Sequence, residues 1–254
     1  MGVTRCLRQR VGLFRVPLSL HCFAGKTTPS APLQSLTRIP IRFRKLAKKE
    51  QKKINMKNLI LYIHGKGGNA GEGEYYKKFF PDSEIYGFDY KSNTPWEAKS
   101  EFFEKVSELS KKYSSITLIA GSLGAYFSLV SGIDKFITKA YFISPIVNME
   151  RLIVDMIGWA GTTEAELKEK KIIPVDFGDD LSWEYLQYVR NNKISWTVPT
   201  EILYGSLDNL QSLETIQQFA KETGAGITVM EGGEHWFHTD EQMKFLDEWL
   251  QNLC

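Results

Sequence analysis

The chain alternates short apolar runs with helical patterns from about residue 56 onward. Each run has six or seven residues, and most end at a glycine or serine. Continuous apolar runs of this length are typical of strands that are buried on both faces of a sheet. The six predicted strands are residues 58–64, 84–90, 115–121, 139–144, 200–206 and 226–232.

Helical patterns separate most of these runs. Thr94, Pro95 and Glu97 supply an N-cap, a proline at the first helical position and an acid at N3, and the predicted helix runs to about Tyr113. Further helices are predicted after residue 121 through Val130, over Leu213–Thr223 and after the capping box at residues 239–242. This alternation predicts an α/β fold with a mainly parallel sheet and helices on both of its faces.

Residues 145–199 interrupt the alternation. They contain three helical patterns and no predicted strand, and they are rich in Met, Ile, Trp and Tyr. Because ligands bind outside the carboxyl ends of parallel strands, an insertion at this point is placed to cover a site. We therefore predict a helical lid, with an extra helical layer packed on the core as the alternative.

Charge divides the chain at about residue 55. Residues 1–55 hold 13 Lys and Arg and one acid, Glu50, whereas the remaining 199 residues hold 19 basic and 29 acidic residues. Such a basic, acid-poor segment is typical of an organellar transit peptide, and an upstream misassignment of the start, with Met56 as the true one, is the alternative. In both cases we expect residues 1–55 to be a disordered extension of a domain at residues 56–254.

Composition excludes several classes of function. There is no run of 18 apolar residues, so no membrane span is predicted. The three cysteines have no metal-ligand spacing and form no disulfide framework, which favours a reducing compartment. We expect a cytoplasmic protein, or an organellar one if residues 1–55 are a transit peptide, with no metal, no cofactor and no nucleic-acid partner.

Ser122 stands where the third predicted strand meets a helix, within the sequence AGSLGA. Small residues on both sides, among them Ala120 and Gly124, permit the sharp strand–turn–helix bend of a nucleophile elbow, with alanine in place of the usual first glycine. The bend exposes Oγ and aims the N-terminus of the following helix at a developing oxyanion. A plain glycine-rich turn is the alternative.

A serine nucleophile requires a base, and the base requires an orienting acid. Asp208 follows the fifth predicted strand and His235 follows the sixth, so both lie at the same sheet edge as Ser122. The chain order Ser, Asp, His is the one expected for a triad on such a sheet. The alternatives are that Asp208 only forms a turn and that His238, rather than His235, is the base.

The loop HGKGG after the first strand supplies backbone N–H groups at the same edge. We expect the N–H groups of Lys66 and Leu123 to form an oxyanion hole. The glycines allow a close backbone approach, while neither phosphate-loop motif is present. His64 is expected to be structural and to hold this loop.

The segments YIHGKGG, AGSLGA, YGSLDN and GGEHWF resemble, in order, the oxyanion loop, elbow, acid loop and histidine loop of the α/β-hydrolase family. The resemblance covers about residues 56–254, without the strands that usually precede the first loop. It implies an esterase-like or thioesterase-like serine hydrolase that forms an acyl-enzyme and uses water but no cofactor. It also implies that Ser122 is the nucleophile, His235 the base and then the acid, and Asp208 the residue that orients His235.

The sequence therefore predicts a serine hydrolase of a small carboxylic ester or related acyl compound, with that small molecule and water as its partners. An acyltransferase with the same triad is one alternative. A non-catalytic binding protein of the same fold is another, because fold alone does not establish activity.

Overall fold

The computed structural model describes residues 56–254, and the predictions for residues 1–55 lie outside this part of the chain. Its strands are β1 (Asn58–Ile63), β2 (Ser83–Gly87), β3 (Ser115–Gly121), β4 (Lys139–Ile143), β5 (Ile172–Ile173), β6 (Leu181–Ser182), β7 (Thr200–Gly205) and β8 (Gly226–Met230). Its helices are α1 (Pro95–Leu109), α2 (Ser122–Val130), α3 (Met149–Trp159), α4 (Glu164–Lys170), α5 (Trp183–Asn191), α6 (Leu213–Thr223) and α7 (Asp240–Leu253). Two 3-10 segments are Ala70–Phe79 and Asp134–Phe136.

Six strands form a parallel sheet in the order β2-β1-β3-β4-β7-β8. All six correspond to predicted strands, so the predicted parallel α/β sheet is confirmed. The second strand ends at Gly87 rather than at the predicted residue 90. The Phe88 N–H still donates to the Tyr62 carbonyl of β1 at 2.9 Å, whereas the N–H groups of Lys91 and Ser92 donate to the Glu101 carboxylate of α1 instead.

The two faces of the sheet pack against different elements. Side chains alternate along β1, so Leu59, Leu61 and Ile63 join one core cluster while Ile60 and Tyr62 join the other. The first cluster includes α1, α2, α6 and the insertion, and the second includes α7 and the 3-10 segment Ala70–Phe79. Helices thus cover both faces, as the sequence predicts.

The insertion, residues 145–199, contains the three predicted helices α3, α4 and α5. It also contains an antiparallel ribbon of β5 and β6, so the prediction that it has no strand is wrong. The ribbon pairs through two residue pairs only, too few to leave a period-two signal in the sequence. The unpredicted segment Ala70–Phe79 contains Gly71 and Gly73, which weaken a helical signal.

The topology places a crevice between β1 and β3. The strand order runs outward from β1 to β2 on one side and through β3 on the other, which makes this the switch point of the sheet, where parallel α/β folds bind ligands. The loop that follows β1 and the start of α2 meet there. The longest helix, α1, has 15 residues, and within residues 56–254 no helix combines the length and apolar character needed to cross a bilayer.

Candidate active site

Ser122 lies on a strained turn between β3 and α2. Its φ is 45°, a left-handed conformation that is uncommon for any residue except glycine. A residue in this region costs about 1–3 kcal/mol and persists only where its surroundings over-determine it. Here β3 is paired on both sides, and the Ser122 carbonyl accepts a hydrogen bond from the Ile146 N–H at 3.2 Å. The fold therefore holds the predicted elbow in place.

Gly124 permits the first turn of α2 to lie against the end of β1. A Cβ atom at residue 124 would sit 2.3 Å from the His64 carbonyl oxygen and 2.9 Å from the side chain of Ile63. A Cβ atom on Gly65 would come within 3.0 Å of the Ser122 Cβ. The elbow and the loop after β1 are therefore in direct contact, and the glycines in HGKGG and AGSLGA make this contact possible.

Ser122, His235 and Asp208 form one chain of hydrogen bonds. The Nε2 atom of His235 lies 2.8 Å from Ser122 Oγ, and its Nδ1 atom lies 2.7 Å from Asp208 Oδ2. The Asp208 side chain is fully buried, and the His235 side chain is 16% exposed. With Nδ1–H donating to the carboxylate, Nε2 is free to accept the proton of the serine hydroxyl. The structure brings the three predicted residues together in this order.

The second carboxylate oxygen of Asp208 is also bound. Its Oδ1 accepts hydrogen bonds from the N–H groups of Leu210 at 2.8 Å and of Gln211 at 3.1 Å. Burial and then the charge of Asp208 raise the pKa of the nearby Tyr204 phenol. Asp208 thus combines the turn-forming role with the orienting contact to His235, because each of its oxygens serves one of the two.

Gln211 is a buried polar residue at the site that the sequence prediction missed. Its Oε1 accepts hydrogen bonds from the N–H groups of Val147 at 3.1 Å and Asn148 at 2.9 Å, and its Nε2 donates to the carbonyl of Leu210 at 2.9 Å. The side chain therefore ties the acid loop to the start of the insertion. No local sequence signal indicates a contact across 63 residues.

The two predicted oxyanion-hole donors, Lys66 and Leu123, line the same cavity as Ser122. Leu123 lies in the first turn of α2, where backbone N–H groups have no partner within the helix. Lys66 lies in the loop after β1, and its ammonium forms an ion pair with Asp179 of the insertion at 2.5 Å. Within residues 56–254 neither backbone N–H has a hydrogen-bond acceptor, so both remain available to a ligand.

The other histidines of the described chain lie outside the triad. The His64 Nδ1–H donates to the Gly65 carbonyl at 2.8 Å, and its ring stacks on Tyr90 at 4.5 Å between centroids. The His238 Nδ1–H donates to the Trp236 carbonyl at 2.7 Å. The geometry thus places His235, and not His238, in contact with Ser122, and His64 bonds within the loop after β1 as expected.

Two concavities meet at Ser122. The first, named here the insertion cavity, has a volume of about 180 Å³ and predominantly apolar walls. It lies between Ser122 and the insertion, which contributes Met149, Leu152, Ile153, Met156, Trp159 and Phe177.

The second concavity, named here the aromatic groove, has a volume of about 590 Å³ and lies on the side of the 3-10 segment and α7. Its distinctive side chains are Tyr62, Glu72, Tyr75, Tyr76, Trp236 and Phe237. His235 lines the groove but not the insertion cavity. Among residues 56–254, no three His, Cys, Asp or Glu side chains are grouped so that they could hold a metal ion.

Solved structures share this fold. Est1E from Butyrivibrio proteoclasticus, with ferulic acid bound, superposes with a TM-score of 0.62 at 15% identity and covers 77% of this chain and 87% of its own. Mouse alpha/beta hydrolase domain-containing protein 10 gives 0.61 at 16% identity, over 77% of this chain and 90% of its own. An esterase of Pyrococcus furiosus superposes with a TM-score of 0.53 at 17% identity, and the match covers 78% of this chain and 81% of the esterase.

These likenesses identify the fold as that of the α/β-hydrolases, in agreement with the resemblance seen in the four loop segments. At this level of identity they define the architecture alone. Neither a protein-family model nor a curated protein sequence matches the chain.

The contact between Gly124 and His64 can be tested by Gly124→Ala. We expect the free energy of unfolding in urea to fall by about 1–3 kcal/mol, because the added methyl group overlaps the His64 carbonyl oxygen. Gly158→Ala, in the last turn of α3, is the control: nothing lies within 4 Å of a Cβ there and alanine is the better helix former, so this variant should be no less stable than the wild type. Equal stability of the two variants would contradict the close approach.

Proposed function

We propose that this protein is a serine hydrolase that cleaves a carboxylic ester or related acyl compound through an acyl-enzyme on Ser122. The observation that carries the proposal is the continuous chain of hydrogen bonds from Ser122 through His235 to the buried Asp208. Its position at the switch point of a sheet with the α/β-hydrolase fold supports the same reading.

In the first half of the reaction, His235 Nε2 takes the proton of the Ser122 hydroxyl as Oγ forms a bond to the acyl carbon. Asp208 holds the ring in the correct tautomer and stabilises the imidazolium. The carbonyl oxygen, now an oxyanion, accepts hydrogen bonds from the N–H groups of Lys66 and Leu123. The imidazolium then gives its proton to the leaving oxygen as the bond between that oxygen and the acyl carbon breaks.

In the second half, water replaces the leaving group. His235 takes a proton from the water as its oxygen bonds to the acyl carbon, and the bond to Ser122 Oγ breaks as the proton returns to Oγ. The products are the carboxylic acid and the free enzyme. An acyltransferase would use the same steps with another acceptor in place of water.

The insertion cavity is the natural site for the acyl group. Its walls are apolar, and it lacks His235, the residue that must reach the leaving oxygen. A cavity of roughly 150 Å³ with apolar walls holds a benzene ring, so about 180 Å³ fits an acyl group of that size or slightly larger. Est1E, which has the same fold, binds ferulic acid, an aromatic carboxylic acid.

We propose that the insertion is a lid. Its residues Asp179 and Phe177 line the insertion cavity, and Asp179 pairs with Lys66 of the loop after β1, so the ion pair spans the two sides of the cavity. Trp159 and Phe177 stack edge to face at 6.1 Å and are both exposed, which leaves apolar rings at the rim. The ion pair between Lys66 and Asp179 is solvent-exposed and therefore weak enough to break.

Activation of Ser122 is tested with a fluorophosphonate probe on the purified full-length protein. We expect one covalent adduct on Ser122 of the wild type, none in Ser122→Ala, and strongly reduced labelling in His235→Ala because the base is lost. Ser128→Ala, on the same helix with its hydroxyl bonded to the Gly124 carbonyl, should label normally. A folded wild-type protein that does not react would contradict catalysis and favour a binding role.

The acyl assignment is tested with 4-nitrophenyl esters of graded acyl length. We expect kcat/KM to be highest for acyl groups of roughly six to eight non-hydrogen atoms, since larger groups exceed the cavity. Met156→Ala should shift this optimum to longer chains, whereas Met243→Ala, in the wall of the aromatic groove, should not. Activity that rises steadily to palmitate, or the same shift in both variants, would refute the assignment.

The lid is tested by Asp179→Asn with a bulky fluorophosphonate. Because an exposed ion pair contributes up to about 1 kcal/mol, labelling of Ser122 should accelerate by up to about fivefold, and added salt should accelerate the wild type but not the variant. Asp180→Asn is the control, since its side chain accepts a hydrogen bond from the Val175 N–H and forms no ion pair within residues 56–254. Labelling rates that change neither with added salt nor with the Asp179→Asn substitution would count against a lid.

A further inference from the structure

The aromatic groove is the part of the site that the acyl group does not use. It meets the insertion cavity at Ser122 and is the larger of the two, with a volume of about 590 Å³. Because His235 lines the groove and must protonate the leaving oxygen, the leaving group extends into the groove. This assignment rests on the proposed hydrolase function, and the chemistry of the groove walls then indicates which leaving groups fit.

One wall of the groove carries a negative charge without a cationic partner. The Glu72 carboxylate accepts hydrogen bonds from the Tyr62 hydroxyl at 2.6 Å and from the backbone and side-chain nitrogens of Asn69, both at 3.1 Å. Among residues 56–254 no Lys, Arg or His nitrogen lies within 4.0 Å of Glu72, and Lys66, which also lines the groove, is paired with Asp179. Among the described residues, the Glu72 carboxylate is therefore stabilised by hydrogen bonds from neutral donors, and its charge is not neutralised by an ion pair.

The rest of the groove is aromatic. The ring centroids of Tyr62 and Tyr76 lie 5.3 Å apart, and Trp236, which follows His235 in the chain, is 72% exposed and stacks on His238. Burial raises the pKa of both Tyr62 and Tyr76, so their phenols stay neutral and add no second charge. A cation already lies over another ring of the groove wall, since the Lys78 ammonium is 4.0 Å from the Tyr75 centroid.

Two tyrosine hydroxyls of these walls are already used in hydrogen bonds of their own. The Tyr62 hydroxyl donates to Glu72 and the Tyr75 hydroxyl donates to Asp247 of α7, so neither donates to a leaving group that binds through many hydroxyls, such as a sugar. A cation, by contrast, is attracted by the Glu72 charge and by the ring faces, and this attraction requires no free hydrogen-bonding atom on the wall. We propose that the leaving group carries a positive charge, an alcohol with a substituted ammonium group being the class that fits, held by Glu72 and the surrounding rings.

The reaction then differs from ordinary ester cleavage only in the group that departs. Ser122 Oγ bonds to the acyl carbon, the bond from that carbon to the ammonium alcohol breaks, and His235 gives its proton to the alcohol oxygen. The positive charge stays on the departing alcohol throughout, so no further reactant is needed. Attraction between the ammonium group and Glu72 positions the ester oxygen beside His235.

The proposal is tested with two hexanoyl esters of nearly identical shape, one of choline and one of 3,3-dimethylbutanol, which has a carbon where choline has the charged nitrogen. We expect kcat/KM to be roughly tenfold higher for the choline ester in the full-length wild type. Glu72→Gln keeps the capping hydrogen bonds and removes the charge, so it should reduce this ratio to near one. Glu74→Gln, in the same 3-10 segment but outside the groove wall, should leave the ratio unchanged.

Direct binding separates this proposal from the proposed function. Isothermal titration of the wild type with choline and with 3,3-dimethylbutanol should show tighter binding of choline, with the difference lost in Glu72→Gln and retained in Glu74→Gln. That result would support the cationic site even if the folded wild type failed to react with the fluorophosphonate, an outcome that would refute only the hydrolase. Equal or weaker binding of choline, or hydrolysis of both esters at equal rates, would overturn the cationic site and leave the hydrolase standing.

Discussion

The close approach of two backbones at the switch point governs the arrangement of the whole site. The helix after β3 begins against the carbonyl end of β1, and Gly124 lies where any side chain would meet the His64 carbonyl oxygen. This contact sets the loop that carries the Lys66 N–H beside the turn that carries Ser122 and Leu123. The strained φ of Ser122 follows from the same geometry, because the chain must reverse within one residue between a paired strand and a packed helix.

The remaining two members of the triad depend on parallel pairing rather than on that contact. Since β3, β4, β7 and β8 are parallel neighbours, their carboxyl ends bring the loops that hold Asp208 and His235 to the same edge as Ser122. This is why the sequence can predict that the three side chains come together: a local bend motif marks Ser122, and strand order places Asp208 and His235 at the same edge. Both signals survive without knowledge of tertiary packing.

Features that rest on distant contacts left no such signal. From the sequence alone, Gln211 is an ordinary polar residue of a loop, and only the structure shows its hydrogen bonds to Val147 and Asn148. The ribbon of β5 and β6 is too short to produce a period-two pattern. The division of the site into an apolar cavity and an aromatic groove arises because the insertion and the 3-10 segment pack from opposite sides of Ser122. Patterning along one chain cannot report which side chains from separate elements come to share a wall.

The side chain of Gln211 also limits how the insertion can move. Its hydrogen bonds join the start of the insertion to the loop that holds Asp208, so residues 147 and 148 are fixed against that loop. A hinge of the proposed lid must therefore lie beyond Asn148, so that opening would move the ribbon and the helices that flank it. Such opening would leave the alignment of Asp208 with His235 undisturbed.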